Sequence, residues 1–371
     1  MPLRLTCVLL LAACAPSFCA DWNPKLAASY LDARQKAWVE WPPAKATGGT
    51  CMSCHTGATY LLARPALRRV LGEKQPTVWE TGLLNGLRER AGIRRAADIS
   101  PSFTREPRAS QALGVESVFA ALFLVRNDSA EGELSQASRQ ALDRLWALEI
   151  GDGEERGAWH WFSLDLDPYE MPHAMFYGAA LAALAAGSAP AEYRQEPGVQ
   201  THLAALRGYL ARLRETQPLH DRLVLLWAST RLPEAMPEDA RRALMDEVWR
   251  QQQADGGWTI QALGPWKEHP GAPAASGSNA YATGLAAFAL EKAGVTRSDP
   301  RLTRALNWLA SHQDKESGCW TGDSMNKKYP AGSIPEGFMR DAATAFAVLA
   351  LAEDAPRVTV SARPEHLRGP R

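Results

Sequence analysis

The chain has 371 residues, 46% of them hydrophobic, which is enough for one large core or two ordinary ones. Its 41 basic and 41 acidic side chains cancel and are intermixed, so no basic face is left for nucleic acid or an anionic membrane. The six cysteines lie too unevenly to suggest a disulfide framework. At the N-terminus, Arg4 precedes an apolar run from Cys7 to Ala15 and then small residues, the pattern of a secretory signal peptide over 1–20. Leu11-Ala12-Ala13-Cys14 fits the lipobox of bacterial lipoproteins, which would lipidate Cys14 and attach the protein to a membrane. Cleavage near Cys19 or Ala20 would instead release a soluble protein. Either route predicts a periplasmic or secreted location.

From residue 21 to about 355, apolar residues recur at helical spacing and alternating β-branched runs are scarce, so the chain is predicted to be all-α. Two kinds of helix alternate. Charged, amphipathic segments fall at about 24–40, 76–93, 134–149, 199–215, 237–253 and 299–312. Nearly uniformly apolar segments fall at about 54–71, 109–127, 172–187, 219–231, 277–294 and 338–354. An all-round apolar helix is enclosed by protein and an amphipathic one has a face in water, so the alternation predicts an α/α toroid of about six hairpins with inner and outer rings. Long connections rich in proline and glycine, 263–278 and 321–337, are either lids or rim decoration. The tail 356–371 has the composition of a flexible segment.

Between the first two predicted helices lies Cys51-Met52-Ser53-Cys54-His55, a C-x-x-C-H sequence. This is the attachment pattern for one covalent haem c, with Cys51 and Cys54 bonded to the porphyrin vinyls and His55 as proximal iron ligand. A redox dithiol would need a thioredoxin-like βαβ setting, and a zinc site a second Cys or His pair nearby. A second axial ligand could come from Met171, which precedes Pro172, or from His173, with His160 and Met175 in the same stretch. For each of these the ordinary reading is a core methionine or a hydrogen-bonded histidine.

A repeat marks the outer helices. Gln252 precedes Gly256-Gly257-Trp258, Gln313 precedes Gly318-Cys319-Trp320, a weaker copy ends at Gly157-Ala158-Trp159, and the first outer helix carries Gln35 and Trp41. Mechanically, such a turn pairs a glutamine that caps backbone with a glycine that turns tightly and an indole buried on the neighbouring hairpin. The turns resemble the QW repeats of squalene–hopene cyclases and prenyltransferase β-subunits, and the resemblance implies their α/α toroid. By the same resemblance, Asp165-Leu166-Asp167-Pro168 is similar to the acid motif that protonates an alkene, with Pro168 in place of its last aspartate. Read from residues alone, Asp165 and Asp167 are turn or cap residues. The prenyltransferase zinc site has no counterpart around Cys319.

The sequence therefore predicts an exported haem c protein, working in electron transfer with a redox partner protein or oxidising a small apolar substrate in the toroid. A terpenoid-cyclase-like enzyme using Asp165 or Asp167 as acid, and a non-catalytic lipid- or partner-binding toroid, are the alternatives.

Overall fold

The computed structural model describes residues 22–128 and 132–353. The signal segment with Cys14 and the tail 356–371 lie outside the described residues. Fourteen helices follow one another: α1 (Pro24–Glu40), α2 (Gly57–Leu71), α3 (Val78–Arg90), α4 (Ala96–Ile99), α5 (Arg108–Asp128), α6 (Gln136–Ala147), α7 (Ala174–Ser188), α8 (Ala191–Arg194), α9 (Pro197–Leu213), α10 (Leu219–Ala228), α11 (Glu238–Arg250), α12 (Ala280–Lys292), α13 (Pro300–Ser311) and α14 (Phe338–Ala352). A small antiparallel hairpin, β1 (Lys45–Ala46) and β2 (Gly49–Thr50), precedes α2.

The alternation read from the sequence is the architecture. Inner helices α5, α7, α10, α12, α14 and α2 pack side by side in that order, and α2 lies against α14 to join the two ends of the chain. Outside them, α1 covers α2 and α14, α6 covers α5, α9 covers α7, α11 covers α10, and α13 covers α12 and α14. The chain is an α/α toroid. Its helix starts are fixed locally: Asn23 caps α1 ahead of Pro24, Thr77 and Glu80 form a capping box on α3, and Asn279 caps α12. The long apolar helix α5 is mostly buried, as the core helix of a toroid must be.

The repeat turns lock the outer ring. Trp159, Trp258 and Trp320 are fully buried, and each indole N–H donates to a carbonyl of the preceding outer helix, those of Leu145, Val248 and Leu309, at 2.7–2.8 Å. Truncating any of them costs about 3–5 kcal/mol. Gly256 (φ 98°) and Gly318 (φ 75°) sit where a Cβ would strike the backbone of the next outer helix, at Arg304 and Leu26. Glycine is required there for space as much as for the left-handed backbone. Gln35 is different: it lies inside α1, fully buried, and neither amide atom finds a hydrogen-bond partner.

Contacts join helix starts to starts. His173 before α7 bonds Asp221 on the first turn of α10, and Thr56 before α2 bonds Asp341 on the first turn of α14. The inner helices are therefore parallel, and their N-terminal ends gather at one mouth of the ring. Aromatic side chains pack between neighbouring inner helices: Tyr281 contacts Phe346 at 5.5 Å between ring centroids, and Phe288 contacts Trp227 at 4.9 Å.

Candidate active site at the mouth of the ring

Six polar side chains form a continuous chain at this mouth. His173 Nδ1 lies 3.1 Å from Asp221 Oδ2, Asp221 Oδ1 is 2.6 Å from His220 Nδ1, and His220 Nε2 is 2.7 Å from the Tyr281 hydroxyl. That hydroxyl in turn meets the Tyr169 hydroxyl at 2.6 Å. At the other end, His173 Nε2 stands 3.5 Å from Asp167 Oδ1. Asp221 and His220 are fully buried, yet each has partners on both sides, as buried polar groups require. Burial works against charge on His173, but hydrogen bonds and the negative charges of Asp167 and Asp221 outweigh it and push its pKa up to about 9. The same bonds, from His173 and His220, overcome the burial of Asp221 and hold its carboxyl below the usual range. Burial drives both tyrosines far above theirs.

Three loops close around Asp167. Its backbone N–H donates to Asn326 Oδ1 and its carbonyl accepts from Asn326 Nδ2, both at 2.8 Å. The backbone N–H of Lys267 donates to Asp167 Oδ2 at 3.1 Å. His269 Nε2 lies 3.6 Å from the same oxygen and has no hydrogen-bond partner. The connections 263–278 and 321–337 are thus working walls. They enclose a cavity of about 300 Å³ lined by Trp266, Lys267, His269, Asn279, Asp323 and Met325, among others. Trp266 joins cavity and relay, since its ring meets that of His220 edge-on at 5.7 Å.

The sequence pointed to Asp165, Asp167 and His173, and the structure separates them. Asp167 is buried behind the cavity wall, and His173 joins it to the relay. Asp165 is more than half exposed and pairs with Lys267 Nζ on the rim. His220, Asp221, Tyr169, Tyr281, Trp266 and His269 were missed. The adjacent His220-Asp221 pair in the first turn of a helix that is apolar from Leu223 onward was the available signal.

The haem c expectation at Cys51, Cys54 and His55 is corrected by the packing. Cys54 and His55 are 4% and 9% exposed. The His55 ring is stacked on Phe338 at 5.0 Å and meets Tyr169 edge-on at 4.8 Å, so protein side chains hold the face a porphyrin would need. The turn is instead a joint: Ser53 Oγ accepts from the N–H groups of His55 and Thr56, Trp38 donates to the Cys51 carbonyl, and Thr56 donates to Asp341. Asp341 also accepts from Tyr30 and Arg34 of α1, so the motif ties α1, α2 and α14 together where the ring closes. The proposed distal ligands fail likewise. His173 has a carboxylate at each ring nitrogen, His160 is exposed, Met171 is buried, and Met175 packs on the core. Among the described residues no group of three or more His, Cys, Asp or Glu side chains is arranged to hold a metal ion.

No protein-family model matches the chain, and no curated protein matches it. Among solved structures it is similar to a glycosyl hydrolase family 88 protein from Bacteroides vulgatus, with TM-score 0.54 and 11% identity, covering 90% of this chain and 99% of that one. It is also similar to a polysaccharide lyase, with TM-score 0.53 and 12% identity, covering 90% of this chain and 97% of that one. At such identities the likeness is one of fold. It corrects the resemblance drawn from the QW turns and the C-x-x-C-H motif: the toroid stands, while the haem c protein and the terpenoid cyclase do not.

Proposed function

We propose that the chain is a carbohydrate-active enzyme that breaks a glycosidic linkage by acid–base catalysis in the cavity at the mouth of the ring. The observation that carries this reading is the His269–Asp167 pair. His269 lines the cavity, its Nε2 faces a buried carboxylate, and its Nδ1 makes no hydrogen bond with the described residues. A separation of 3.6 Å is just beyond hydrogen-bond length. Such pairs commonly tighten only when substrate is bound. Closed, the pair gives an imidazole oriented by Asp167, able to take a proton from a substrate group or water and return it to the leaving oxygen. Trp266 offers an indole face for a sugar ring to lie against, and Asn279, Gln261 and Asp323 offer hydrogen-bonding groups for its hydroxyls. The two similar structures named above are a glycosyl hydrolase and a polysaccharide lyase by description, which supports the substrate class. The apolar N-terminal run and its lipobox support export, where polysaccharides are met.

The test is release of new reducing ends from a panel of neutral and acidic polysaccharides, with ultraviolet absorbance distinguishing an unsaturated product from a hydrolytic one. Wild type should cleave at least one, and His269→Ala and Asp167→Asn should each lower kcat by about 10²–10⁴. A folded Asp167→Asn variant as active as wild type would sink the assignment.

A further inference from the structure

At the opposite end of the ring, the C-terminal ends of α5 and α7 and the segment after α10 enclose a second cavity of about 400 Å³. Three of its lining residues are arginines, Arg126, Arg194 and Arg231. None of the three has a carboxylate of the described residues within ion-pair distance, and Arg194 Nε is buried without a hydrogen-bond partner. The Arg126 guanidinium lies over the Trp227 ring, 5.7 Å from its centroid. Burial, then the like charges of Arg231 and Arg69, push its pKa down to about 10, with Glu353 only partly offsetting them. Two acidic residues share the lining. Asp128 is committed to the Ser135 N–H at 2.8 Å and the Ser138 hydroxyl at 2.5 Å, and Glu133 is exposed. Carbonyl ends of α5 and α7 offset part of the positive charge. A concave site lined by three arginines, none of them ion-paired with a described carboxylate, is matched in charge to a tetrahedral oxyanion, which a guanidinium fork can bind through paired N–H groups.

We propose that this cavity is a binding site for phosphate or sulfate, as the free ion or as an ester. It stands apart from the saccharide site and does not depend on that reading.

The experiment uses the full-length protein and follows its thermal midpoint against inorganic phosphate, inorganic sulfate and, at matched ionic strength, chloride. Phosphate and sulfate should raise the midpoint along a saturating curve, and chloride should not. Arg231→Gln, a change at an exposed side chain, should weaken the apparent affinity at least about tenfold, the share of one charge-assisted contact. Arg126→Gln should weaken it similarly and raise the midpoint of the ligand-free protein, because an uncompensated partly buried charge is removed. A sugar phosphate or sulfated disaccharide binding more tightly than the inorganic ion identifies an ester as the ligand, and weaker binding identifies the free ion. Equal midpoints in phosphate and chloride, or an Arg231→Gln curve identical to wild type, overturn the proposal.

Discussion

Gln313, just past the end of α13, holds Asn23 at the head of α1 by both of its amide atoms: Oε1 accepts from the Asn23 N–H at 2.6 Å and Nε2 donates to the Asn23 carbonyl at 3.0 Å. Nε2 also donates to the Gly318 carbonyl at 2.8 Å. Two residues 290 positions apart are thereby fixed, and the last outer helix is fastened to the first.

Gln313→Ala should cost about 2–3 kcal/mol, because it leaves the Asn23 and Gly318 groups unpaired at a partly buried seam. Gln35→Leu should be neutral or stabilising, since both amide atoms of Gln35 are buried with no partner to lose. Urea denaturation of the two variants checks the contrast. Equal destabilisation of both would show that the ring is not held at the α13–α1 seam.

These two glutamines also show what the sequence could and could not reveal. The alternation of charged and uniformly apolar segments specified the inner and outer rings almost residue by residue, because burial on one face or on all faces is a local property of composition. Gln313 and Gln252 could be read as turn residues from the glycine and tryptophan that follow them. Gln35 shares the spacing to Trp41, but its helix continues to Glu40 and no turn forms. The site was less legible. Asp167 and His173 share one connection, but Asp221, His269 and Tyr281 come from three other stretches, and they meet only because parallel inner helices bring their starts to one mouth. Conversely, Cys51 to His55 is compact in sequence and conspicuous, yet its side chains are absorbed by a joint among α1, α2 and α14 whose partners lie up to about 285 positions away.

His173 makes stability depend on alkaline pH. Its pKa is raised from the ordinary 6.5 to about 9 despite burial, by Asp167 and Asp221, so the native state holds the proton more tightly than the unfolded chain. The contribution is fully present below about 6.5 and is lost as pH rises through about 9. Two other shifted groups act at lower pH, whereas the thiols of Cys51 and Cys54, raised by burial, act above the ordinary thiol value of 9. Glu170, raised by burial to about 7, loses its contribution between the ordinary carboxyl range and 7, and His55, lowered by burial to about 3, loses its own as pH falls below 6.5. Denaturation at about pH 6.5 and about pH 8.5, below the onset of the thiols, should therefore show a fall in wild type that is largely absent in His173→Gln. An equal fall in both would place the responsible charge elsewhere.

The thiols of Cys51 and Cys54 should be slow to react in the native protein. Burial is the main cause that pushes Cys51 up to about 11 and Cys54 further still, so little thiolate exists at neutral pH. Alkylation at about pH 8 should lag a model thiol by about a hundredfold, and both cysteines should label at once when the chain is unfolded. Peptide mapping by mass spectrometry reads each position separately. Failure of either to label after unfolding would mean that its sulfur is already substituted, contrary to the packing of the 51–55 joint.

Tyr281→Phe removes one hydroxyl and keeps the ring that packs on Tyr169, His220 and Phe346. Two contacts vanish with it, the 2.7 Å bond to His220 Nε2 and the 2.6 Å bond to Tyr169. Asp221 Oδ1 can only accept, so His220 carries a proton on Nδ1, and a neutral ring then accepts from the Tyr281 hydroxyl at Nε2, which leaves Asp221 Oδ2 for His173. Without that hydroxyl Nε2 is buried and unpaired, the ring is held against Asp221 from one side only, and the orientation of His173 beside Asp167 is less firmly enforced. Tyr281 is not itself among the residues that line the cavity, so it acts as a positioning residue. Saccharide cleavage should fall about tenfold in kcat with KM little changed, and the alkaline limb of the pH profile should move down as His173 loses part of its support. A proportional loss in stability alone, with kcat and the pH profile unmoved, would mean that the chain of hydrogen bonds serves the fold and not the chemistry.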